Sequence, residues 1–216
     1  MIRTAPEGRW FIAGAWAVEI FLVWMAVTRA DPVWWAAAVV WGAVAVWVVA
    51  FFRDPERAWS RGERVAVAPA DGRVVSVIEV DEPAFFGGRA LRISIFMNVF
   101  DCHVNRYPTD GVVAYRHYNA GRFLHAASEK SSLDNEQSSV GLDTAHGKVL
   151  VRQIAGLIAR RIVTDHPVGT AVHQGQRLGM IRFGSRVDVF LPVGTRTLVR
   201  TGDTTRAGVT VVAEWS

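Results

Sequence analysis

A mainly β domain of β-sandwich or barrel-sandwich type, with minor helix, preceded by an N-terminal transmembrane helical hairpin, is the fold class this chain predicts. Three features carry that expectation. Two long apolar runs fill the first quarter of the 216 residues. Seven of the nine tryptophans (Trp10, Trp16, Trp24, Trp34, Trp35, Trp41, Trp47) lie before residue 50. From Val65 onward, short β-type runs alternate with glycine-centred turns, which is a pattern of many short strands rather than of a doubly wound sheet.

The hairpin comes first. Phe11–Val27 is apolar except for Glu19, and Val33–Phe52 is an unbroken apolar run of 20 residues. At ~1.5 Å per residue the second run spans about 30 Å, the thickness of a hydrocarbon core. Arg29-Ala30-Asp31-Pro32 is short enough for a tight turn, and Pro32 suits the first turn of the second helix. A cleaved signal peptide fits poorly, because no small-residue cleavage site follows and a second span comes directly after. Arg3 and Arg9 flank one end and Arg53, Arg57, Arg61 and Arg64 the other, whereas the turn carries only Arg29. The positive-inside rule then sets both ends, and the domain after them, at the cytoplasmic face of the cell membrane. Glu19 is tolerable within a span only if it is paired or near an interface. The expected division is an anchor over 1–52 and a β-rich domain over 53–216.

The remaining elements follow in order. Strands are expected at Val65–Ala68, Arg73–Val80, Ala90–Met97, Gly111–Tyr118, Lys148–Ile154, Arg177–Phe183, Arg186–Leu191, Thr197–Arg200 and Val209–Ala213. Asp71-Gly72, Gly87-Gly88, Asp110-Gly111 and Gly202-Asp203 supply turns between them. Gly156–Val163 reads as one short helix. The single cysteine, Cys102, excludes an intrachain disulfide, and no Cys/His cluster has zinc spacing, so no metal site is expected. Net charge is +4, and residues 1–52 are neutral, so the basic excess belongs to the domain. Beside a membrane that excess suggests anionic lipid headgroups; no nucleic-acid motif accompanies it.

The segment richest in chemistry is MIRFGSRVDVFLP, Met180–Pro192, where Gly184-Ser185 lies between two strand-like runs. By itself the dipeptide reads as a hairpin turn, and without G-x-S-x-G it is no nucleophile elbow. Asp71 alone reads as a turn-forming aspartate before glycine. His103 alone reads as structural. Taken together with four further segments, however, the string resembles the processing site of the phosphatidylserine decarboxylases in their short bacterial and archaeal form. Those segments are FFRDPER (Phe51–Arg57), APADGRV (Ala68–Val74), FDCHVNRYPTDG (Phe100–Gly111) and AGRFLHAASEKSSLDNE (Ala120–Glu136), in order and with sensible spacing.

The resemblance implies a self-cleaving proenzyme. Ser185 would attack the Gly184 carbonyl and cut the chain into 1–184 and 185–216. The two products would stay together as a heterodimer, and residue 185 would become a covalent pyruvoyl group. That ketone would form a Schiff base with phosphatidylserine, releasing CO₂ and phosphatidylethanolamine. Physical logic agrees: amine decarboxylation needs an electron sink, and no side chain provides one. The only lysines, Lys130 and Lys148, have no glycine-rich phosphate loop near them, which argues against pyridoxal phosphate.

By the same resemblance Asp71 is the candidate carboxylate and His103 the candidate histidine. Longer family members carry D-x-H-x-x-H-x-P, but here the second histidine position is Arg106, which cannot act as a base. Either His103 serves both cleavage and decarboxylation or another histidine substitutes, with His117 and His125 near in sequence. His146, His166 and His173 have no motif support. Arg106 and Lys130 are candidate anchors for the substrate's carboxylate or phosphate. Val168…Gly175-Gln176-x-Leu178-Gly179 also resembles biotinyl- and lipoyl-carrier β-folds. A carrier would need a lysine at its turn, and a barrel-sandwich adaptor would need long coiled-coil helices. A pyruvoyl decarboxylase of a soluble amino acid would leave the hairpin unexplained.

Overall fold

The computed structural model describes residues 3–57, 62–121, 135–156, 161–182 and 185–215. It forms two compact units, Met1–Glu56 and Arg57–Ser216. The first unit extends past Phe52 because the chain leaving the hairpin pairs back on the chain entering it. Thr4 bridges Arg53, and Asp54 N–H donates to the Arg3 carbonyl at 2.8 Å.

In the first unit, a short 3₁₀ turn (Pro6–Gly8) leads into α1 (Arg9–Arg29), and α2 (Pro32–Phe51) follows. Ala30 takes a left-handed conformation (φ 52°) that ends α1, and the Asp31 side chain caps α2 by accepting from Val33 N–H at 2.9 Å. Both helices are long and apolar enough to cross a membrane. Their seam uses small residues: Ala15, Ala26, Ala38 and Ala45 are buried between helices whose other faces expose Trp10, Ile20 and Val39. Close approach of this kind is how helices pack without a hydrophobic drive between them. Glu19 lies over Gly42, where an added Cβ would sit 3.3 Å from Glu19 Oε1. Trp41 also crosses the seam, donating Nε1–H to the Ala15 carbonyl at 2.9 Å.

The second unit is mainly β, as expected. Its strands are β1 (Val65–Val67), β2 (Gly72–Glu82), β3 (Gly88–Met97), β4 (Val104–Arg106), β5 (Gly111–Ala120), β6 (Glu136–Thr144), β7 (Gly147–Ala155), β8 (Ile162–Thr164), β9 (Ala171–Val172), β10 (Arg177–Ile181), β11 (Ser185–Leu191), β12 (Arg196–Thr197), β13 (Thr204–Thr205) and β14 (Val211–Glu214). A curled eight-stranded sheet has the order β13-β2-β3-β11-β7-β6-β5-β9, and two three-stranded sheets have the orders β1-β14-β12 and β4-β10-β8. One apolar cluster joins all three: Ile93 and Ile95 of β3, Val187 and Val189 of β11, Val149 and Val151 of β7, Ala66 and Val212 from the β1 sheet, and Leu178 from the β4 sheet. The opposite face of the large sheet carries a smaller cluster of Ala90, Leu150 and Phe190.

Because both faces are covered, all seven residues of β11 are buried. Ser185, Val187, Val189 and Leu191 share the face of the main cluster, and Arg186, Asp188 and Phe190 the other. The charges on that second face are paired: Arg186 Nη2 donates to Asp188 at 3.0 Å, and Arg152 Nη2 to Glu82 at 2.8 Å.

Two expectations are corrected. The helix over Gly156–Val163 does not hold at its C-terminal end: Ile162 and Val163 belong to β8 and pair with Ile181 and Met180 of β10. The β-branched run Ile-Val-Thr fits a pleated surface better than a helical turn. Residues 157–160 lie outside the described residues. The second correction is β6, a nine-residue strand absent from the expected strands; its residues Glu136-Gln137-Ser138-Ser139 are polar, and all four are buried in the sheet.

Gly72 opens β2 at φ 144°, and a Cβ there would sit 2.1 Å from the Phe96 carbonyl oxygen, a backbone atom that cannot turn aside. Gly72→Ala should destabilise the protein by about 1–3 kcal/mol, the usual range for overpacking a close contact. The thermal midpoint in detergent against the parent chain checks it.

Candidate active site

The site is assembled at one end of the large sheet. Ser185, the first residue of β11, pairs with Met97 at the end of β3 and with Ala155 at the end of β7. It is fully buried, and its Oγ has no hydrogen-bond partner among the described residues. An unengaged hydroxyl in a core is unfavourable, by roughly 1–3 kcal/mol in mutational data. Gly184, the other half of the expected cleavage site, lies outside the described residues.

Buried amides hold both cross-strand neighbours of Ser185. Asn105 of β4 donates Nδ2–H to Met97 Sδ at 3.6 Å, and Asn135, just before β6, donates Nδ2–H to the Ala155 carbonyl at 2.7 Å. Both asparagines are fully buried. Asn105 is itself oriented, because Gln153 Nε2 donates to its Oδ1 at 2.8 Å. Gln153 Oε1 accepts from Thr164 Oγ1 at 3.1 Å, and Thr164 Oγ1 lies 2.8 Å from Ser138 Oγ. With its proton given to Gln153, the Thr164 hydroxyl accepts from Ser138. Donation therefore runs one way, from Ser138 to Thr164, Gln153, Asn105 and Met97. Asn105 and Asn135 lie within the motif segments FDCHVNRYPTDG and AGRFLHAASEKSSLDNE, although no role was expected of either. For Gln153, Thr164 and Ser138 the one available signal was Gln153, an amide at an inward position of the apolar run VLVRQIA.

His103 sits in the turn before β4 and is fully buried. Its Nδ1 lies 3.0 Å from the Asp101 carbonyl oxygen. A carbonyl only accepts, so Nδ1 carries the proton of that bond and Nε2 is the basic nitrogen of the neutral ring. The His103 carbonyl meets Ile181 N–H at 3.4 Å, which ties this turn to β10 four residues before Ser185.

Asp71 is brought to a different partner. Its carboxylate grips Arg57 bidentately, at 2.5 Å through Nη1 and 2.7 Å through Nη2, and accepts Ala207 N–H at 2.8 Å. Arg57 Nη1 also donates to the Ala207 carbonyl at 3.1 Å. The FFRDPER and APADGRV segments thus meet through their charged residues, and among the described residues no histidine is a partner of Asp71. Arg106 is buried on β4, with Nη1 donating to the Gly175 carbonyl at 3.0 Å and its chain packed under Gly208. Lys130 and His125 lie outside the described residues. His117 is exposed on β5, stacked with Tyr115. His146 stacks on Trp215, and His173 lies 3.7 Å from Asp110 on the surface. His166 lies between Tyr107 Oη at 3.3 Å and Gln176 Nε2 at 3.1 Å.

Comparison with known proteins bears on the whole chain. The family described as "Phosphatidylserine decarboxylase" matches residues 44–213. A protein of Symbiobacterium thermophilum, named phosphatidylserine decarboxylase proenzyme, is 51% identical over 179 residues, covering 82% of this chain and 83% of its own. One of the same name from Nitrosomonas europaea is 45% identical over 212 residues, covering 98% of this chain and 94% of its own.

Tyr107, in the same loop-strand segment as His103 and Arg106, is fully buried. Burial, and then the nearby Asp165 carboxylate, pushes its phenol up to about 12, with Arg116 acting in the opposite direction. In the unfolded chain the phenol ionises near ~10. The folded protein therefore holds this proton more tightly, so stability from this group is complete below about pH 10 and is lost as pH rises toward about 12. The loss should amount to about 2–3 kcal/mol. Tyr107→Phe should flatten that alkaline limb, and thermal midpoints of both proteins between about pH 8 and 12 check it.

Proposed function

The chain belongs to the phosphatidylserine decarboxylase family, and on that premise we propose that it is a proenzyme that cuts itself at Gly184-Ser185 and then decarboxylates phosphatidylserine to phosphatidylethanolamine. The observation that carries the proposal is Ser185 itself: a buried hydroxyl with no described hydrogen-bond partner, at the head of a strand otherwise filled for packing. In the proposed cleavage, Ser185 Oγ bonds to the Gly184 carbonyl carbon as the peptide C–N bond breaks, giving an ester. Loss of the Ser185 α-proton expels the Gly184 carboxylate and ends the chain 1–184. One water then releases ammonia and leaves a ketone at residue 185. The described residues around that position fit such a group, because a ketone needs no proton donor and none of them donates to the hydroxyl.

When formed, the pyruvoyl group supplies the carbonyl sink for the electrons left by departing CO₂. The chain's own residues do the rest. His103, with Nδ1–H held by the Asp101 carbonyl, offers Nε2 as the proton carrier for the substrate carbon after CO₂ leaves. Arg106 and Lys130 are the cations proposed for the substrate's carboxylate or phosphate. Asp71, locked to Arg57, is proposed to fix the turn before β2, whose neighbour β3 ends at Met97 beside Ser185.

Ladders in two of the sheets support a heterodimer of the two products. Residues 185–216 supply β11, β13 and β14, which pair with β3 and β7, β2, and β1 respectively. The apolar helices are proposed as the anchor and the arginine balance as the reason the catalytic unit faces the cytoplasm, where anionic lipid is the partner.

Purified protein should give two chains that co-elute, the smaller starting at a blocked residue 185. Ser185→Ala should remain one 216-residue chain and release no CO₂; an uncut variant that still decarboxylates would sink the pyruvoyl reading. His103→Gln should lower CO₂ release by about 10²–10⁴-fold, the usual contribution of positioned proton transfer. Its cleavage, followed separately by the small fragment, tells whether His103 also activates Ser185: uncut protein assigns both steps to it, and normal cleavage leaves the first step to another base. Unchanged turnover would remove His103 from the site.

A further inference from the structure

The two residues that flank Ser185 across the sheet are each gripped by a buried asparagine, one from either side. Asn105 holds Met97 through its side-chain sulfur, and Asn135 holds Ala155 through its carbonyl oxygen. An amide in a core is tolerated only when its hydrogen bonds are made, and apolar residues would fill the same space without that demand. Here the demand extends through four elements. Ser138 of β6, Thr164 of β8, Gln153 of β7 and Asn105 of β4 donate in one direction to Met97, and β4 and β8 are each joined to β10. Because Gln153 donates to Asn105 Oδ1, the amide group of Asn105 can point its N–H only toward Met97. These contacts all converge on the level of the sheet where the peptide bond before Ser185 is proposed to break.

We propose that Asn105 and Asn135 are positioning residues for self-cleavage, clamping the ends of β3 and β7 so that Ser185 is held fixed between them at the head of β11. This rests on the self-cleavage reading above. The acyl shift joins two groups within one residue of each other, so its rate depends on holding the backbone in an attack geometry. A displacement of about 1 Å in such a reaction can slow it about 10²-fold.

The test uses full-length chains made in a cell-free system with detergent, with the uncut fraction followed over time. Asn135→Asp and Asn105→Asp keep shape and remove the donor. Each should slow cleavage by about 10²-fold. The uncut chains should resist hydroxylamine, which severs esters, because the block falls before the ester forms. The thermal midpoint of the uncut variants should fall no further below that of uncut Ser185→Ala than the midpoint of Val149→Ala does. Val149→Ala, a core truncation at the far end of β7, serves as the control for general loss of stability. Cleavage within twofold of the parent overturns the inference. So does accumulation of a hydroxylamine-sensitive chain, or a Val149→Ala chain slowed as much as the asparagine variants. Cleavage of Ser185→Ala would instead overturn the reading on which the inference stands.

Discussion

One strand, β11, joins what would otherwise be two separate pieces of the catalytic unit. On one side of it lies the hairpin β2–β3, and on the other the meander β5–β6–β7. Among the described residues the two groups share no ladder except through β11, which pairs residue for residue with Met97–Leu91 on one flank and with Ala155–Leu150 on the other. The bond proposed to break lies at the first residue of this strand. A cut there removes a covalent link but leaves both ladders, and Val187, Val189, Phe190 and Leu191 stay buried. Each such side chain contributes about 1.5–3 kcal/mol on burial, so the C-terminal fragment has reason to remain in the sheet.

The same geometry explains why the unit accepts so many polar groups in its interior. On the face of Ser185, the amides and hydroxyls of Asn105, Gln153, Thr164 and Ser138 satisfy one another. On the opposite face, Arg186–Asp188 and Arg152–Glu82 are paired, and the Arg152 guanidinium lies 4.8 Å from the Phe190 ring. A slip of one residue along β11 would exchange the two faces, driving Arg186 and Asp188 into the apolar cluster. Polar residues of opposite character on the two faces thus hold Ser185 in register at the end of the sheet. Ser185 itself is a hydroxyl whose position serves no described hydrogen bond.

The apolar helical hairpin obeys a simpler rule. Its helices meet through alanines and through Gly42, and the one carboxylate within α1, Glu19, occupies the space that Gly42 leaves. Its lower end is clasped by Ala5 N–H on the Phe52 carbonyl and by stacking of Phe11 on Phe52.

Much of this was legible in the sequence, because it depends on local pattern. Apolar runs of membrane length, the turn ending in Pro32, and strands such as β3, β7 and β11 follow from composition and period over a few residues. Ser185 and His103 were legible as members of ordered motifs. What the sequence could not decide is whatever depends on which strands lie side by side. The β6 residues Glu136–Ser139 are polar and carry no alternating apolar signal for a strand, yet neighbours on both sides bury them. Ile162 and Val163 read as helix until β10 supplies an edge to pair with. Asp71 reads as a carboxylate for a histidine, and its partner Arg57 is fixed by the path of a different segment. The clamp on Met97 and Ala155 joins residues 105, 135 and 153 to Ser185 across more than thirty positions of sequence. Hydrogen bonds between distant segments leave no periodic trace in a chain; they exist only once the ladder sets the register, and that is decided by the packing of the whole sheet.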